Sequence, residues 1–359
     1  MATVPSQRNV VRHRHHLPNA CPAGRTRIAD VFLLIEGTAM QQQTVVLITG
    51  VSSGIGRAAA EHFARAGCLV YGSVRHLAGA TPLTAVELVE MDIRDAASVQ
   101  RAADGIIARA GRIDVLVNNA GTNLVGAIEE TSVDEAAALF DINLLGILRT
   151  VQAVLPQMRA RGQGRIVNVS SVLGFLPAPY MGVYAASKHA VEGLSETLDH
   201  ELRQFGIRVT LVEPAYTKTS LGSNSPVVQA TIADYDRERG VVARAVTHSI
   251  DTAPEPHGVA ATVVEAALGR WRMRRTPAGQ ASLLSKLRRF LPASAVDGSL
   301  RKQLGLRCGE MRQGVDAAGN AGVGPYGAIA SVQARMPPFG GSAAPLDAGF
   351  TEDAALASQ

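Results

Sequence analysis

The feature that most constrains the fold is a regular alternation of short apolar runs and longer helical patterns that starts at Val45. Runs of five or six residues rich in Val, Ile and Leu predict buried strands at 45–49, 69–74, 86–90, 113–117, 165–170 and 207–212. Helical patterns occupy 54–66, 95–110, 132–161 and 183–205. Strands separated by helices at this spacing imply right-handed crossovers, because parallel strands need such connections. The sequence therefore predicts an α/β fold with a single doubly wound parallel sheet.

This pattern covers only part of the 359 residues. We expect one domain at 44–306. Residues 1–43 lack a sustained period and mix Pro, His, Arg and Gln, so they predict a disordered leader; Met40 leaves open whether translation starts there. Residues 307–359 are rich in Gly, Ala, Ser and Pro, which predicts a disordered tail.

Composition excludes several classes of protein. No stretch approaches the roughly 18 apolar residues of a membrane span, so we do not expect an integral membrane protein. The net charge of +4 includes seven basic residues and no acid from Arg270 to Arg289, yet one Trp, six Tyr and eight Phe offer little base stacking. We therefore expect no nucleic-acid partner. Three widely separated cysteines, Cys21, Cys68 and Cys308, indicate neither a disulfide framework nor a metal site and fit a reducing cytoplasm.

A glycine-rich turn joins the first predicted strand to the first predicted helix. It contains Gly50, Ser52, Ser53, Gly54, Ile55 and Gly56. Glycines at such a turn let the backbone approach a pyrophosphate, and the helix N-terminus supplies unpaired N–H groups and a positive potential. The strand before the turn and the helix after it strengthen this interpretation over that of a simple tight turn.

Three further motifs follow in order along the chain. They are Asn118-Asn119-Ala120-Gly121 after the fourth strand, Ser171 after the fifth, and Tyr184-Ala185-Ala186-Ser187-Lys188 at the start of the next helix. Tyr184 and Lys188 share one helical face because they are four residues apart. With the T-G-x-x-x-G-x-G turn, these motifs resemble the short-chain dehydrogenase/reductase family, closest to its branch of 17β-hydroxysteroid and retinol dehydrogenases. The resemblance covers 44–306 and implies a Rossmann-type domain.

The resemblance implies an oxidoreductase that interconverts a secondary alcohol and a ketone or related carbonyl. Tyr184 is then the acid/base, Ser171 holds the substrate oxygen, and Asn143 anchors a water that relays protons. Lys188 binds the nicotinamide ribose. Its ammonium and a nicotinamide cation are expected to lower the pKa of the phenol from about 10. The same branch resemblance favours a bulky apolar substrate.

The expected cofactor is NADP(H) rather than NAD(H). An NAD-selective site places an acid about 20 residues beyond the glycine turn, but no acid lies between His62 and Val86, and Arg75 follows the second strand. A guanidinium there suits a 2′-phosphate. The resemblance adds contacts from the turn and from a group of later residues: Asp92, Asn118, Ala120, Gly121, Tyr184, Lys188, Pro214, Thr217 and Thr219. Ala215 stands where the family usually has Gly.

Alternatives remain open at this point. One is a dinucleotide sensor without turnover, although such proteins are expected to lose the tyrosine or lysine. Another is a membrane-surface protein that uses an amphipathic stretch with Leu284, Leu287 and Lys286, for which packing on the sheet is the default interpretation. The family resemblance also implies a homodimer or homotetramer paired through the helices at 132–161 and 183–205.

Overall fold

A computed structural model of the chain describes residues 43–219, 226, 228–290 and 293–306. The helices are α1 Gly54–Arg65, α2 Ala96–Ala110, α3 Val133–Phe140, α4 Gly146–Arg161, α5 Gly182–Leu202, α6 Asp236–Asp251, α7 His257–Leu268, α8 Gln280–Phe290 and α9 Ala293–Gln303. The strands are β1 Val45–Ile48, β2 Leu69–Val74, β3 Val86–Glu90, β4 Val115–Asn118, β5 Gly164–Val169, β6 Ile207–Val212 and β7 Arg274–Arg275. Apart from Gln43, the predicted leader and tail lie outside the described residues, and their disorder stays a prediction.

The seven strands form one sheet in the order β3-β2-β1-β4-β5-β6-β7, and every pairing is parallel. The chain reverses its direction of winding between β1 and β4. Ligands of open α/β sheets bind at this point, outside the carboxyl ends of the strands. The predicted doubly wound parallel sheet is therefore confirmed, and its topology places the glycine-rich turn at the switch point.

Helices cover both faces of the sheet. On one face, α2, α4 and α5 bury side chains such as Ile106, Val154 and Val191 against the strands. On the other, α1 and α7 bury Phe63 and Val263. Strands covered on both sides need apolar residues at nearly every position, which is why the sequence shows continuous Val, Ile and Leu runs rather than alternation.

The predicted helix over 132–161 is interrupted. Ser132 caps α3 by accepting a hydrogen bond from the N–H of Glu135, and residues Asp141–Leu145 form a turn of π-helix before α4 begins. The strand β7 was not predicted, because two consecutive arginines carry no strand signal. It adds to the sheet edge through the register of Leu211 with Arg274.

The helical run Val133–Arg161 is long and apolar enough to cross a membrane by length and composition alone, although polar residues such as Asp141 and Arg149 interrupt it. In the fold, 44% of its most apolar window is buried. Ile147, Val151 and Val154 belong to the core on the sheet. The hydropathy of the run is therefore explained by its position as a core helix.

Candidate active site

The turn between β1 and α1 depends on its glycines. Gly50 and Gly54 have φ values of +73° and +59°, a region that L side chains rarely adopt. A Cβ on Gly56 would collide with the carbonyl oxygen of Gly50 and with Nδ2 of Asn119. Ser53 occupies the N-cap position of α1. Gly50, Gly54 and the serines line a cleft, so the unpaired N–H groups of the helix N-terminus lie beside it, as a pyrophosphate site requires.

Asn119 fastens this turn to the end of β4. Its Nδ2 donates to the carbonyl oxygens of Thr49 and Gly50, each at 3.0 Å. In return, Thr49 Oγ1 accepts from the backbone N–H groups of Asn119 and Ala120, also at 3.0 Å. Four hydrogen bonds thus connect the glycine turn with the loop after β4. Asn119 was quoted within the N-N-A-G motif but was not among the predicted site residues.

Asn118 has a different position from the one expected of a cofactor ligand. Its Oδ1 accepts from Thr150 Oγ1 at 2.7 Å, and its Nδ2 donates to Asn168 Oδ1 at 2.9 Å. Asn168 continues this buried chain to Ser195 at 2.8 Å. The side chain of Asn118 therefore links the sheet to α4 and α5 rather than lining the cleft. Ala120 and Gly121 do line it.

The predicted catalytic side chains meet at the carboxyl end of β5. Ser171 starts a 3-10 turn directly after the strand, and its Oγ accepts from the N–H of Leu173 at 3.1 Å. Tyr184 and Lys188 lie one turn apart near the start of α5, and both are buried. Lys188 Nζ donates to the carbonyl of Val169 at 3.0 Å and lies 5.8 Å from the centre of the Tyr184 ring. The three side chains share one wall of the cleft.

Burial dominates the acidities of these groups. It raises the pKa of Tyr184 to about 12; a hydrogen bond with Ser171 opposes the rise, and the neighbouring Tyr216 adds to it. Burial also lowers the pKa of Lys188 to about 8, against the opposing charge of Glu192. Desolvation of the phenolate thus outweighs the contacts that the chain itself provides. The sequence predicted that Lys188 together with a nicotinamide cation lowers the pKa of the phenol, and this stays a prediction.

Asn143 lies in the π turn between α3 and α4 and braces two elements of the site. Its Oδ1 accepts from the N–H of Thr122 at 2.9 Å, and its Nδ2 donates to the Thr122 carbonyl at 2.9 Å and to Ser187 Oγ at 3.1 Å. Ser187 Oγ in turn donates to the carbonyl of Tyr184. Asn143 therefore joins the loop after β4 to the helix that carries Tyr184 and Lys188. Its predicted role as a water anchor stays a prediction.

A cluster of charges lies at the other end of the cleft, beyond β2 and β3. Arg94 donates to both carboxylate oxygens of Asp92 from Nε, at 3.0 and 3.2 Å, and to Oδ2 from Nη2 at 2.6 Å; its backbone N–H also donates to Oδ1 at 3.0 Å. This pairing lowers the pKa of Asp92 to about 2, and the charge of Arg75 acts in the same direction. Arg75 is exposed and has no hydrogen-bond partner among the described residues. Arg94, which the sequence analysis did not single out, adds a second guanidinium to the cleft wall.

The loop after β6 closes the remaining side. Pro214 accepts from the N–H of Val172 at 3.0 Å, which ties this loop to the one that carries Ser171. Thr217 Oγ1 donates to the carbonyl of Ala215 at 3.1 Å. The space where a Cβ on Gly54 would lie is 3.0 Å from Thr219 Cβ, so the loop packs on the glycine turn. Pro214, Thr217 and Thr219 all line the cleft, as predicted.

The cleft has a volume of about 430 Å³. It runs from the charged groups at β2 and β3, past the glycine turn, to the catalytic side chains. Beyond these its wall is largely apolar, formed by Val172, Leu173, Met181, Tyr216, Val246 and Ile250. Among the described residues, no group of three or more His, Cys, Asp or Glu side chains is placed to hold a metal ion. The arrangement suits a dinucleotide followed by an apolar organic substrate.

Comparisons with known proteins agree with this geometry. The model of the family described as short chain dehydrogenase matches residues 44–227, which contain the glycine turn and every predicted catalytic residue. The chain belongs to the short-chain dehydrogenase family. It is an oxidoreductase of that family, and neighbours of known structure support a nicotinamide dinucleotide as its cofactor.

Two named relatives of this dehydrogenase match over about half of its chain. A 3-ketodihydrosphingosine reductase of Bacteroides thetaiotaomicron is 38% identical over 190 residues, which cover 53% of this chain and 70% of the reductase. Human 17-beta-hydroxysteroid dehydrogenase type 1 is 39% identical over 208 residues, which cover 53% of this chain and 63% of the human enzyme. The match thus spans less than two thirds of the human enzyme.

Solved structures align over more of the chain. A short-chain dehydrogenase of Streptomyces avermitilis has a TM-score of 0.62 at 33% identity and covers 73% of this chain and 96% of its own. A Burkholderia phymatum member in complex with NAD has a TM-score of 0.60 at 29% identity, and the alignment covers 72% of this chain and 95% of that one. A Burkholderia cenocepacia member in complex with NADP has a TM-score of 0.58 at 26% identity, and the alignment covers 73% of this chain and 99% of that one.

Proposed function

We propose that this short-chain dehydrogenase uses NADP(H) to interconvert a secondary alcohol and a ketone on a bulky apolar molecule. One observation carries the proposal. The hydroxyl of Ser171, the phenol of Tyr184 and the ammonium of Lys188 share one wall of a cleft whose floor is a glycine turn at a helix N-terminus. A binding protein without turnover has no need of this buried proton-exchanging group.

Each side chain has a distinct task in the proposed reaction. Ser171 donates a hydrogen bond to the substrate oxygen, and Tyr184 gives that oxygen a proton during reduction or removes one during oxidation. Lys188 holds positive charge below the phenol and offers N–H donors to a ribose. Asn143 keeps α5 aligned and anchors the relay water. The bound nicotinamide supplies or accepts the hydride.

The glycine turn and the charged end of the cleft would hold the dinucleotide. Gly56 leaves no room for a side chain, so the backbone is open to a close approach by a pyrophosphate. Preference for NADP(H) is supported by Arg75 and Arg94 at the cleft wall. Arg94 is neutralised by Asp92, whereas Arg75 is left to pair with a 2′-phosphate.

The apolar wall beyond Tyr184 supports the substrate class. Met181, Val246 and Ile250 offer no charged group that would recognise a sugar or an acid. Two named relatives act, by their names, on a steroid and on a ketodihydrosphingosine, which are both largely hydrocarbon. We propose a lipid-like alcohol or ketone. The location of the protein in the cytoplasm stays a prediction, based on its three widely separated cysteines.

The mechanism is tested with Tyr184→Phe, which removes the proton and leaves the ring. We expect dinucleotide affinity to persist and turnover to fall by about 10²- to 10⁴-fold, the usual size of general acid–base catalysis. Turnover is measured as the rate of cofactor oxidation during the reduction of a panel of apolar ketones. Near-normal activity in a correctly folded variant would overturn the mechanism.

Cofactor preference is tested with Arg75→Ala. A hydrogen bond to a charged group contributes about 1.5 to 3 kcal/mol, which corresponds to roughly 10- to 100-fold in affinity. We expect NADP(H) binding to weaken by that factor, while NAD(H) binding barely changes. Titration of both cofactors provides the measurement. Wild-type protein that binds NAD(H) more tightly would contradict the assignment.

A second binding property is favoured by helix α8. Its inner face packs Ala281 and Leu284 beside the loop that follows Ser171, while Leu283, Leu287 and Phe290 on its outer face are 57%, 38% and 78% exposed. No acid lies between Glu265 and Asp297, and the stretch is basic. Exposed apolar groups among cations suit an anionic lipid surface. We propose that this face contacts such a surface close to the substrate end of the cleft.

Co-sedimentation with vesicles tests this contact without any turnover. We expect the chain to bind vesicles that contain phosphatidylserine more than vesicles of phosphatidylcholine alone. Leu287→Glu should abolish the difference, and Leu268→Glu, an equally exposed leucine on α7, should leave it intact. Equal sedimentation of both variants with wild type would exclude the α8 face.

A further inference from the structure

A buried cluster of carboxyl groups lies directly behind the catalytic side chains. Glu192 is on α5, one turn after Lys188, and Glu213 follows β6 immediately before Pro214; they are 7% and 1% exposed. Arg274 of β7 lies between them, with its Nε 3.2 Å from Glu192 Oε2 and 3.1 Å from Glu213 Oε1. Its other end pairs with the half-exposed Glu196. Three carboxyl groups thus surround one guanidinium.

The hydrogen bonding of this cluster is incomplete if every carboxyl group is ionised. Glu213 Oε2 accepts from Thr276 Oγ1 at 3.0 Å. The Oε1 atoms of Glu192 and Glu213 are buried and accept no hydrogen bond of full geometry among the described residues. Glu213 Oε1 is in ion-pair contact with Arg274, and Glu192 interacts with the hydroxyl of Ser170. A protonated carboxyl group would supply the missing donor. Burial, followed by the charge of Glu192, raises the pKa of Glu213 to about 7, and burial raises that of Glu192 as well. Both pKa directions favour the retention of a proton by this pair of carboxyl groups.

Glu192 also touches the loop that carries the catalytic serine. A Cβ on Gly174 would lie 2.7 Å from Ser170 Oγ and 2.9 Å from Glu192 Oε1, so the glycine is required for this approach. Ser170 is the neighbour of Ser171. The carboxyl group of Glu192 is thereby packed between the serine loop and the helix that bears Lys188.

Lys188 needs a counter-charge because its ammonium is buried and donates a hydrogen bond to a neutral carbonyl, that of Val169. We propose that Glu192, held by Arg274 and Glu213, is a positioning residue that provides this counter-charge and fixes the Ser171 loop. The role of Glu192 in the reaction rests on the proposed function, whereas its electrostatic coupling to Lys188 is independent of that function.

The coupling has a sign that depends on which carboxyl group is removed. Replacement of Glu192 by Gln removes the negative charge beside Lys188, so the ammonium loses its proton at lower pH. Replacement of Glu213 by Gln removes a neighbouring carboxylate whose negative charge opposes the ionisation of Glu192. Glu192 is then more fully ionised, and Lys188 keeps its proton to higher pH. A loosened structure would move both variants in the same direction.

The experiment exploits the scarcity of lysine, since the whole chain has only Lys188, Lys218, Lys286 and Lys302. Full-length protein labelled with ¹³C at lysine Cε gives four resonances to follow by NMR as pH rises, and Lys188→Met assigns one of them. We expect Glu192→Gln to lower the titration midpoint of Lys188 by about one pH unit, the size of a close charge pair in a partly screened interior. Glu213→Gln should raise it.

Glu196→Gln is the matched control, because Glu196 also pairs with Arg274 but is half-exposed. We expect it to leave the Lys188 midpoint nearly unchanged. An unchanged midpoint in Glu192→Gln, or shifts of the same sign in the Glu192 and Glu213 variants, would overturn the proposal. Loss of turnover in Tyr184→Phe would still be expected in that case, so the two proposals fail separately.

Discussion

Removal of the Asn119 side chain tests whether the conformation of the glycine turn matters for binding, because it changes the contacts of the turn without changing its glycines. Asn119→Ala deletes two donations, to the carbonyls of Thr49 and Gly50, each 3.0 Å long. Both carbonyls lose a fixed partner, and the turn is then free to move away from β4. The glycines themselves are unchanged.

The expected magnitude follows from these two bonds. Each contributes about 0.5 to 1.5 kcal/mol, so together they stabilise the turn by about 1 to 3 kcal/mol. Because the turn is local, we expect most of this loss in dinucleotide binding, which corresponds to about 5- to 150-fold weaker affinity. The melting temperature of the free protein should fall by only a few degrees, as suits a domain of this size.

Fluorescence titration with NADPH measures the affinity, and thermal unfolding measures stability. Asn119→Asp tests donation against shape, because the carboxylate fills the same space but cannot donate; it should be no better than Ala. Asn123→Ala is the matched control, since Asn123 also lines the cleft but its side chain accepts from the N–H of Leu124 within its own loop. Wild-type affinity in a folded Asn119→Ala protein would refute the argument that Asn119 holds the turn.

Two further outcomes follow from the fold. Asp199 is fully buried and accepts from Arg203, Arg208 and the N–H of Val209, so Asp199→Asn should cost about 3 to 5 kcal/mol in urea unfolding. Its carboxyl pKa is lowered, so this stabilisation exists above the unfolded-state pKa and is lost as pH falls, and acidification should narrow the gap between wild type and variant. Light scattering at micromolar concentration should give the mass of a dimer or tetramer, and monomer alone would contradict the proposed assembly.

The strands were predictable because a sheet buried on both faces demands continuous apolar runs. The meeting of Ser171, Tyr184 and Lys188 at the cleft was predictable because they occur at fixed spacing within local motifs, and their catalytic roles stay a prediction. The strand β7 was not predictable, because two consecutive arginines carry no strand signal and the pairing with β6 is a tertiary contact. The break within 132–161 was also missed, because the π turn at Asp141–Leu145 is a single turn with i→i+5 hydrogen bonds inside a helical pattern.

Acidity is a property that local sequence motifs do not determine. The charges of Lys188 and of a nicotinamide cation were expected to lower the pKa of Tyr184, but the loss of water around each group acts in the opposite direction. In the fold both side chains are buried, and desolvation raises the pKa of the phenol and lowers that of the ammonium. No local motif contains this information, because the groups that bury Tyr184, such as Tyr216, come from a distant loop.

Cofactor selectivity also depends on tertiary contacts that the sequence does not reveal. The absence of acids between His62 and Val86 suggested that Arg75 binds a 2′-phosphate. Because β3 pairs with β2, however, Glu90 reaches across and accepts from the N–H of Leu77 at 3.1 Å. Arg94 enters the cleft wall by the same route and is paired with Asp92. The charge around Arg75 therefore depends on residues at the ends of two adjacent strands and not on Arg75 alone.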